Sequence, residues 1–459
     1  MDLESTVSGL MDDLWKTLDE LVSFASVNTG NQSSEHPVAK CRTSIITKFE
    51  NAGINAKELS ITYKNRTATP LVYANCKSKR TNAPTVLIYS HYDVQPATKA
   101  GWDTDPFTPV NKQDGKDTRK YGRGAADDKS GIIMHLGVAQ VFKSPGLPVN
   151  LNLIFEGEEE TNFGTLEDYL NDPDTNHEPF KADLIVIADC GNRALGVPTL
   201  TTTLRGYAAF DIEVHTLDSP VHSGTYGGPA PDAFMALVRL LATLHDDKGD
   251  IAVADLILDD KYPFAPVDEK QFCINAGVLP GIPLIGTGSL AERLGGRPSI
   301  NVVGLDGVNS IAGAANVLCP KATARISVRL SPSQEPEQAR QAIEAHLNNV
   351  RPWGIQSHVT FLGSGAGFMV NTNGKYFKTA SQALSKAYDG AKTMLAGEGG
   401  SIPLVNALQK INPQSDVVLW GCEEPRCRIH GTNESVSKDE LTRMTTAQGL
   451  LLQDIANSA

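Results

Sequence analysis

The run Thr85-Val-Leu-Ile-Tyr-Ser-His91 is apolar, carries β-branched residues, and ends on an imidazole. Three other runs are built the same way: Leu151-Asn-Leu-Ile-Phe-Glu156, leading into Glu158-Glu-Glu160; Leu184-Ile-Val-Ile-Ala-Asp189; and Val417-Val-Leu-Trp-Gly421, shortly before His430. Short apolar runs separated by helical segments read as buried strands of a largely parallel sheet. Ligands of such open α/β sheets gather outside the carboxyl ends of the strands. Two histidines and several carboxylates brought to that edge predict a hydrolytic site built on two metal ions.

At 459 residues the chain exceeds one ordinary core, so two domains are expected. A net charge of −12, with no cluster of Lys and Arg, argues against a nucleic-acid partner. Cys41, Cys76, Cys190, Cys273, Cys319, Cys422 and Cys427 are scattered and form no Cys-x-x-Cys, which speaks against a disulfide framework or a zinc knot. Cys422 and Cys427 are the one close pair, where a functional thiol is about a one-in-ten expectation. Met1-Asp-Leu-Glu-Ser lacks the basic-then-apolar pattern of a signal peptide, and no stretch approaches a membrane span. The expectation is a cytoplasmic enzyme with no membrane partner.

Leu10, Met11, Leu14, Leu18, Leu21 and Val22 recur at spacings of three and four, predicting an amphipathic helix from Leu3 to about Ala25. A second helical pattern, Gly131 to Phe142, follows Asp127-Asp128, and an Asp just ahead suits a helix amino terminus. From Tyr207 the pattern alternates, then gives a helix around Asp232 to His245 and further alternating strands at Ala322–Leu330 and His358–Leu362. That succession predicts an antiparallel sheet covered on one face. The α/β character returns from about Tyr376. Residues 1–206 and 369–459 therefore read as an α/β catalytic domain with a mainly parallel central sheet, and 207–368 as an inserted α+β domain with an antiparallel sheet.

A two-ion hydrolase needs a bridging carboxylate, terminal His and carboxylate ligands, and a base for the attacking water. His91, Asp127, Glu160, Asp189 and His430 can fill the ligand roles, because imidazole suits zinc and carboxylates can bridge cations. Asp93, two residues after His91, is placed to orient an imidazole rather than to ligate. Glu158, Glu159 and Glu160 cannot all point at one centre; one can ligate, Glu159 is suited to shuttle the proton, and the third can face elsewhere. Each motif alone has a plainer explanation, a hydrogen-bonded core His or a solvated acidic face.

Taken in order, the motifs resemble a known family. Ser90-His-Tyr-Asp-Val-Gln-Pro96, Gly122-Arg-Gly-Ala-Ala-Asp-Asp-Lys129, Glu156-Gly-Glu-Glu-Glu160, Leu204-Arg-Gly206, His222-Ser-Gly224, Ser327-Val-Arg-Leu330, Gly399-Gly-Ser-Ile-Pro403 and His430-Gly-Thr-Asn-Glu434 are similar to those of the di-metal peptidases of clan MH. These include carnosinases, cytosolic nonspecific dipeptidases, glutamate carboxypeptidases and succinyl-diaminopimelate desuccinylase. The resemblance implies that Asp127 bridges two divalent ions, Zn²⁺ or Mn²⁺, with His91 and Asp189 on one and Glu160 and His430 on the other. It implies Glu159 as general base for a water held between the ions, Asp93 orienting His91, and a cis peptide after Asp127. The inserted domain would form a homodimer in which His222 reaches the neighbouring site and stabilises an oxyanion.

By the same resemblance, strongest to the dipeptidase branch, Arg329 would grip the carboxylate of a short peptide substrate, Ser401 would contact that end, and Glu398 would meet the ammonium. Arg329 could instead form an ion pair on the strand surface. The chain departs from the carnosinase pattern: Gly397 stands where an Arg is expected, Lys129-Ser-Gly131 replaces Lys-Gly-Gln, Asn316 replaces a Thr, and Gly363–Gly367 holds no His. The reaction class transfers and the side-chain preference does not. An N-acyl-amino-acid amidohydrolase or desuccinylase is the alternative within enzymes, opposed by the carboxylate of Glu398. An inactive scaffold would have no need of Glu159 or His222.

Overall fold

The computed structural model describes residues 2–31, 33–161, 163–258 and 262–458. The chain divides into two units, Met1–Thr202 with Val370–Ala396 and Leu404–Ala459, and Thr203–Met369 with Gly397–Pro403. The first unit is built on a mixed sheet. Its strands run in the order Lys57–Leu59, Leu71–Cys76, Asn150–Glu156, Thr85–His91, Leu184–Ile187, Asp416–Leu419 and Thr199–Leu204. The largely parallel sheet expected from the sequence is parallel only at its centre. Thr85–His91 pairs in parallel with Asn150–Glu156 and with Leu184–Ile187, which pairs in parallel with Asp416–Leu419. The flanking pairings are antiparallel. The four central strands are buried on both faces, which is why they read as continuous apolar runs.

Helix Leu3–Ser23 starts where Asp2 accepts a hydrogen bond from the Ser5 amide at 3.1 Å. It ends two residues earlier than expected. Val7, Leu14, Leu18, Leu21 and Val22 on its inner face are almost wholly buried, each contributing roughly 1.5–3 kcal/mol before entropy costs. It packs with Lys129–Val141 and Lys438–Ser458, and Lys129–Val141 lies against Thr85–His91. The close approach depends on Gly137, where a Cβ would meet Thr445 Cγ2 at 2.7 Å and Leu14 Cδ1 at 3.0 Å. Asp128 precedes the Lys129–Val141 helix, but its side chain does not cap it. Its Oδ2 instead accepts from the His91 amide at 3.2 Å, tying the helix entry to a strand end. The Asp127–Asp128 peptide is cis.

In the second unit a four-stranded antiparallel sheet runs Ser299–Asp306, Lys321–Leu330, Gly206–His215, His358–Gly365. Alternation along Gly206–His215 buries Ala208, Phe210, Ile212 and Val214 in one core with Leu237, Leu240, Ile343 and Leu347 of helices Ala233–Ala242 and Pro336–Asn349. Asp232 caps the first of these helices through the Met235 amide at 2.9 Å and also holds the Cys319 amide at 2.7 Å. The boundaries differ from the sequence expectation by a few residues, and residues 397–403 belong to this unit rather than the first. Small residues bring that loop in: a Cβ on Gly397 would meet Phe264 Cε1 at 2.5 Å, and one on Gly399 would meet Arg205 Nη2 at 2.7 Å.

Candidate active site

The parallel register sets His91 beside Glu156 at the carboxyl ends of adjacent strands. Ala188 and Asp189 follow the end of Leu184–Ile187, and the same edge of Asp416–Leu419 leads towards Glu423 and His430. At this edge the structure gathers His91, Asp93, Asp127, Glu159, Glu160, Asp189 and His430, all within the first unit.

Asp127 lies between the histidines: Oδ1 is 2.9 Å from His91 Nε2, and Oδ2 is 3.0 Å from His430 Nε2. His91 Nε2 also lies 3.6 Å from Asp189 Oδ1 and 4.0 Å from Glu159 Oε2. His430 Nε2 lies 3.2 Å from Glu160 Oε2. On its far side His91 Nδ1 is 3.1 Å from the Asp93 carbonyl and 3.5 Å from Asp93 Oδ1. Asp93 Oδ2 accepts from the Glu160 amide at 3.0 Å, linking the two ends of the cluster. The three consecutive glutamates diverge: Glu158 accepts from the Thr69 amide at 2.5 Å, Glu159 faces His91, and Glu160 faces His430.

Crowding of carboxylates in a partly buried site shapes their acidity. Burial, then the neighbouring Asp189 charge, raises Glu159 well above the usual carboxylate range. Burial, opposed by His91, pushes Asp189 to about 6. Asp127 is held low despite burial by its hydrogen bonds to His430 and His91. Hydrogen bonds to Asp127 and Glu160 lift His430 to about 10.

The donor set fits divalent ions. His91, Glu159 and Asp189 each bring a ligand atom within 4.8 Å of the others, as do Asp127, Glu160 and His430, and also Asp127, Asp189 and Glu423. Imidazole nitrogens mixed with carboxylate oxygens suit borderline divalent cations. Among the described residues no lysine or arginine is ion-paired with Asp127, Asp189, Glu159 or Glu160.

Sequence reading missed two neighbours. Glu423 stands seven residues ahead of His430, and its only signal was its place just past a strand that feeds the edge. Gln95 donates to Glu160 through its amide at 3.2 Å and through Nε2 at 2.7 Å.

The other expected residues lie in the second unit. Arg329 is half-buried on Lys321–Leu330, with Nη1 donating to Ser401 Oγ at 3.2 Å, while Ser401 Oγ donates to the Arg205 carbonyl. The surface ion pair that was the plainer role for Arg329 is made by Arg325, which grips Asp211 at 2.7 and 2.8 Å. Burial, then the nearby Arg329 charge, brings Arg205 down to about 10. Glu398 ends strand Met394–Glu398, half-buried, and its carbonyl accepts from the Arg205 amide at 3.3 Å. His222 is exposed, in a two-stranded ladder with Val317, and its Nδ1 accepts from the Gly224 amide at 3.1 Å. Cys422 and Cys427 are buried, and burial raises both thiols well above their usual value, which suits packing rather than reactivity.

The model of a family described as peptidase family M20/M25/M40 matches residues 87–454. The chain is 38% identical over 376 residues to a cysteinylglycine-S-conjugate dipeptidase of Corynebacterium striatum, covering 81% of each protein. It is 27% identical over 454 residues to the Cys-Gly metallodipeptidase dug1 of Schizosaccharomyces pombe, covering 94% of this chain and 93% of that one. In fold it matches the crystal structure of human carnosine dipeptidase 1 with a TM-score of 0.83 at 23% identity, over 99% of this chain and 98% of the other.

Proposed function

The chain belongs to peptidase family M20/M25/M40 and is an enzyme, and from that premise we propose that it is a metal-dependent dipeptidase cleaving short free peptides. The observation that carries the proposal is Asp127 presenting one oxygen to each of two imidazoles inside a ring of carboxylates. His91, Asp127 and Asp189 would hold one divalent ion, and Asp127, Glu160 and His430 a second, Zn²⁺ or Mn²⁺. Such ions supply Lewis acidity at the scissile carbonyl and acidify water.

The protein's own groups do the rest. Glu159, facing the cluster beside His91, takes a proton from the attacking water and returns it to the leaving amine. Asp93 fixes the orientation of His91 through Nδ1. Arg329 and Ser401 bind the terminal carboxylate, and Glu398 the ammonium. His222 donates to the oxyanion, and its hydrogen bonds support that role: Nδ1 accepts from the Gly224 amide and lies close to Thr225 Oγ1, which leaves Nε2 to donate.

A homodimer formed by the second unit, with His222 acting in the neighbouring site, completes the reading. Exposed Val302, Val303 and Leu305 on the edge strand Ser299–Asp306, with Val308 and Ile311 beyond it, support such an interface. Among the described residues no helix is long and apolar enough to cross a membrane. Seven free thiols support a reducing, cytoplasmic location.

The test uses metal-stripped protein resupplied with Zn²⁺ or Mn²⁺. The substrates are cysteinyl-glycine, an S-conjugated form of it, other free dipeptides, their N-acetyl forms and N-succinyl amino acids. Metal-dependent cleavage of free dipeptides alone is expected. Cleavage of the acylated compounds alone would make the protein an amidohydrolase.

A further inference from the structure

Glu434 has no assigned task, although it closes the His430-Gly-Thr-Asn-Glu434 motif. It is completely buried, and its carboxylate accepts four hydrogen bonds. Oε1 receives the amides of Ala126 and Asp127, at 3.0 and 3.2 Å. Oε2 receives the Gly124 amide at 3.0 Å and Arg123 Nη1 at 2.7 Å. The carbonyl of Glu434 accepts from the Gly122 amide at 2.9 Å. Loop 122–127 is thus wrapped around one side chain supplied by the segment that carries His430. Gly124, at φ +80°, turns the loop so that its amides converge, and a Cβ there would meet Val94 Cγ1 at 2.5 Å.

A carboxylate in a dry interior is costly, and the Arg123 ion pair with three peptide dipoles offsets that cost. Apolar packing would stabilise the fold as well. A carboxylate does something apolar packing cannot: it fixes three amides of one segment against a backbone that arrives from far away in sequence. The last of those amides belongs to Asp127, whose side chain must place one oxygen before each histidine. The other segment starts from His430, itself in the left-handed region at φ +59°.

We propose that Glu434 is the positioning residue of the metal centre, clamping the Asp127 loop to the His430 segment so that the two sets of ligands form together. The proposal rests on the metal-centre reading above. Outer groups that orient ligands typically change metal affinity by about 10–100-fold when replaced. Because Asp127 is shared, uptake of both ions is expected to weaken.

The experiment titrates Co²⁺ into metal-free wild type and Glu434→Gln, following the visible absorption of the bound ion and checking the fold of each metal-free protein by circular dichroism. Expected is a folded E434Q that binds Co²⁺ about 10–100-fold more weakly, with an altered spectrum. A wild type that takes up no Co²⁺ defeats the metal-centre reading itself. A wild type that binds two ions, matched by E434Q in affinity and spectrum, overturns the role of Glu434 alone. Should E434Q not fold, amide hydrogen exchange on metal-free wild type decides. Slow exchange at Gly124, Ala126 and Asp127 is expected if the carboxylate holds the loop, and exchange at loop rates until metal is added would overturn it.

Discussion

Asp127 and His430 meet at 3.0 Å, Oδ2 to Nε2, although some 300 residues of chain separate them, and Asp127 Oδ1 is left free to face His91 at 2.9 Å. One carboxylate therefore joins the two halves of the candidate centre. Asp127→Ala should abolish tight binding of both ions and reduce turnover by at least about 10³-fold, because bridging ligand and ion charge are lost together. Metal content after dialysis and kcat/KM check this. Full retention of one ion would show that Asp127 is not shared.

Glu159 lies 4.0 Å from His91 Nε2, on the side of the imidazole that also faces Asp127 and Asp189. Glu159→Gln should lower kcat by about 10²–10⁴-fold, the span of general-base contributions, while metal content stays unchanged. Near-normal turnover would remove Glu159 from the proton path.

Arg329 donates to Ser401 and, among the described residues, forms no ion pair of its own. Arg329→Met should raise KM for free dipeptides by about 10–100-fold, the worth of a charge-assisted contact, and should barely affect dipeptides with amidated carboxyl ends. Equal losses on both substrates would place Arg329 outside carboxylate recognition.

If His222 serves the neighbouring subunit, Glu159→Ala and His222→Ala proteins, each inactive, should complement when their subunits exchange. Random mixing of two-fold dimers would restore about a quarter of wild-type activity. No recovery in proven heterodimers would contradict action across the interface.

His135 sets a pH dependence away from the site. It is buried in Lys129–Val141, with Nδ1 2.8 Å from Gln448 Nε2 and Nε2 3.3 Å from the Tyr89 carbonyl, a set of partners that satisfies the neutral ring. Burial brings its pKa down from 6.5 to about 4. The unfolded chain binds the extra proton between these values, so stability from the neutral ring is full above about 6.5 and falls as pH drops to about 4, by on the order of 3 kcal/mol. His135→Gln should flatten that part of the acid limb in urea unfolding at pH 7 and pH 5. An unchanged difference between the two pH values would contradict it.

The strands that position the site were legible because burial on both faces leaves continuous apolar runs at Thr85–His91, Asn150–Glu156 and Leu184–Ile187. The antiparallel flanks were not, since Leu71–Cys76 and Thr199–Leu204 carry no mark of strand direction. Residues His91, Asp127, Glu160, Asp189 and His430 stood out as metal-binding types at strand ends or motif positions. Glu423, Gln95 and the clamp at Glu434 did not, because their contacts depend on backbone conformation rather than on residue spacing. The place of Glu398 and Ser401 in the second unit was equally hidden: it follows from close approaches at Gly397 and Gly399, which only the folded chain reveals.

The most direct test is to strip the protein of metal, add back Zn²⁺ or Mn²⁺ in known amounts, and follow hydrolysis of cysteinyl-glycine against bound metal per chain. Activity that appears on reconstitution and saturates at two ions per chain is expected from Asp127 facing both histidines. Full activity in the stripped protein, or saturation at a single ion, would contradict a two-ion dipeptidase.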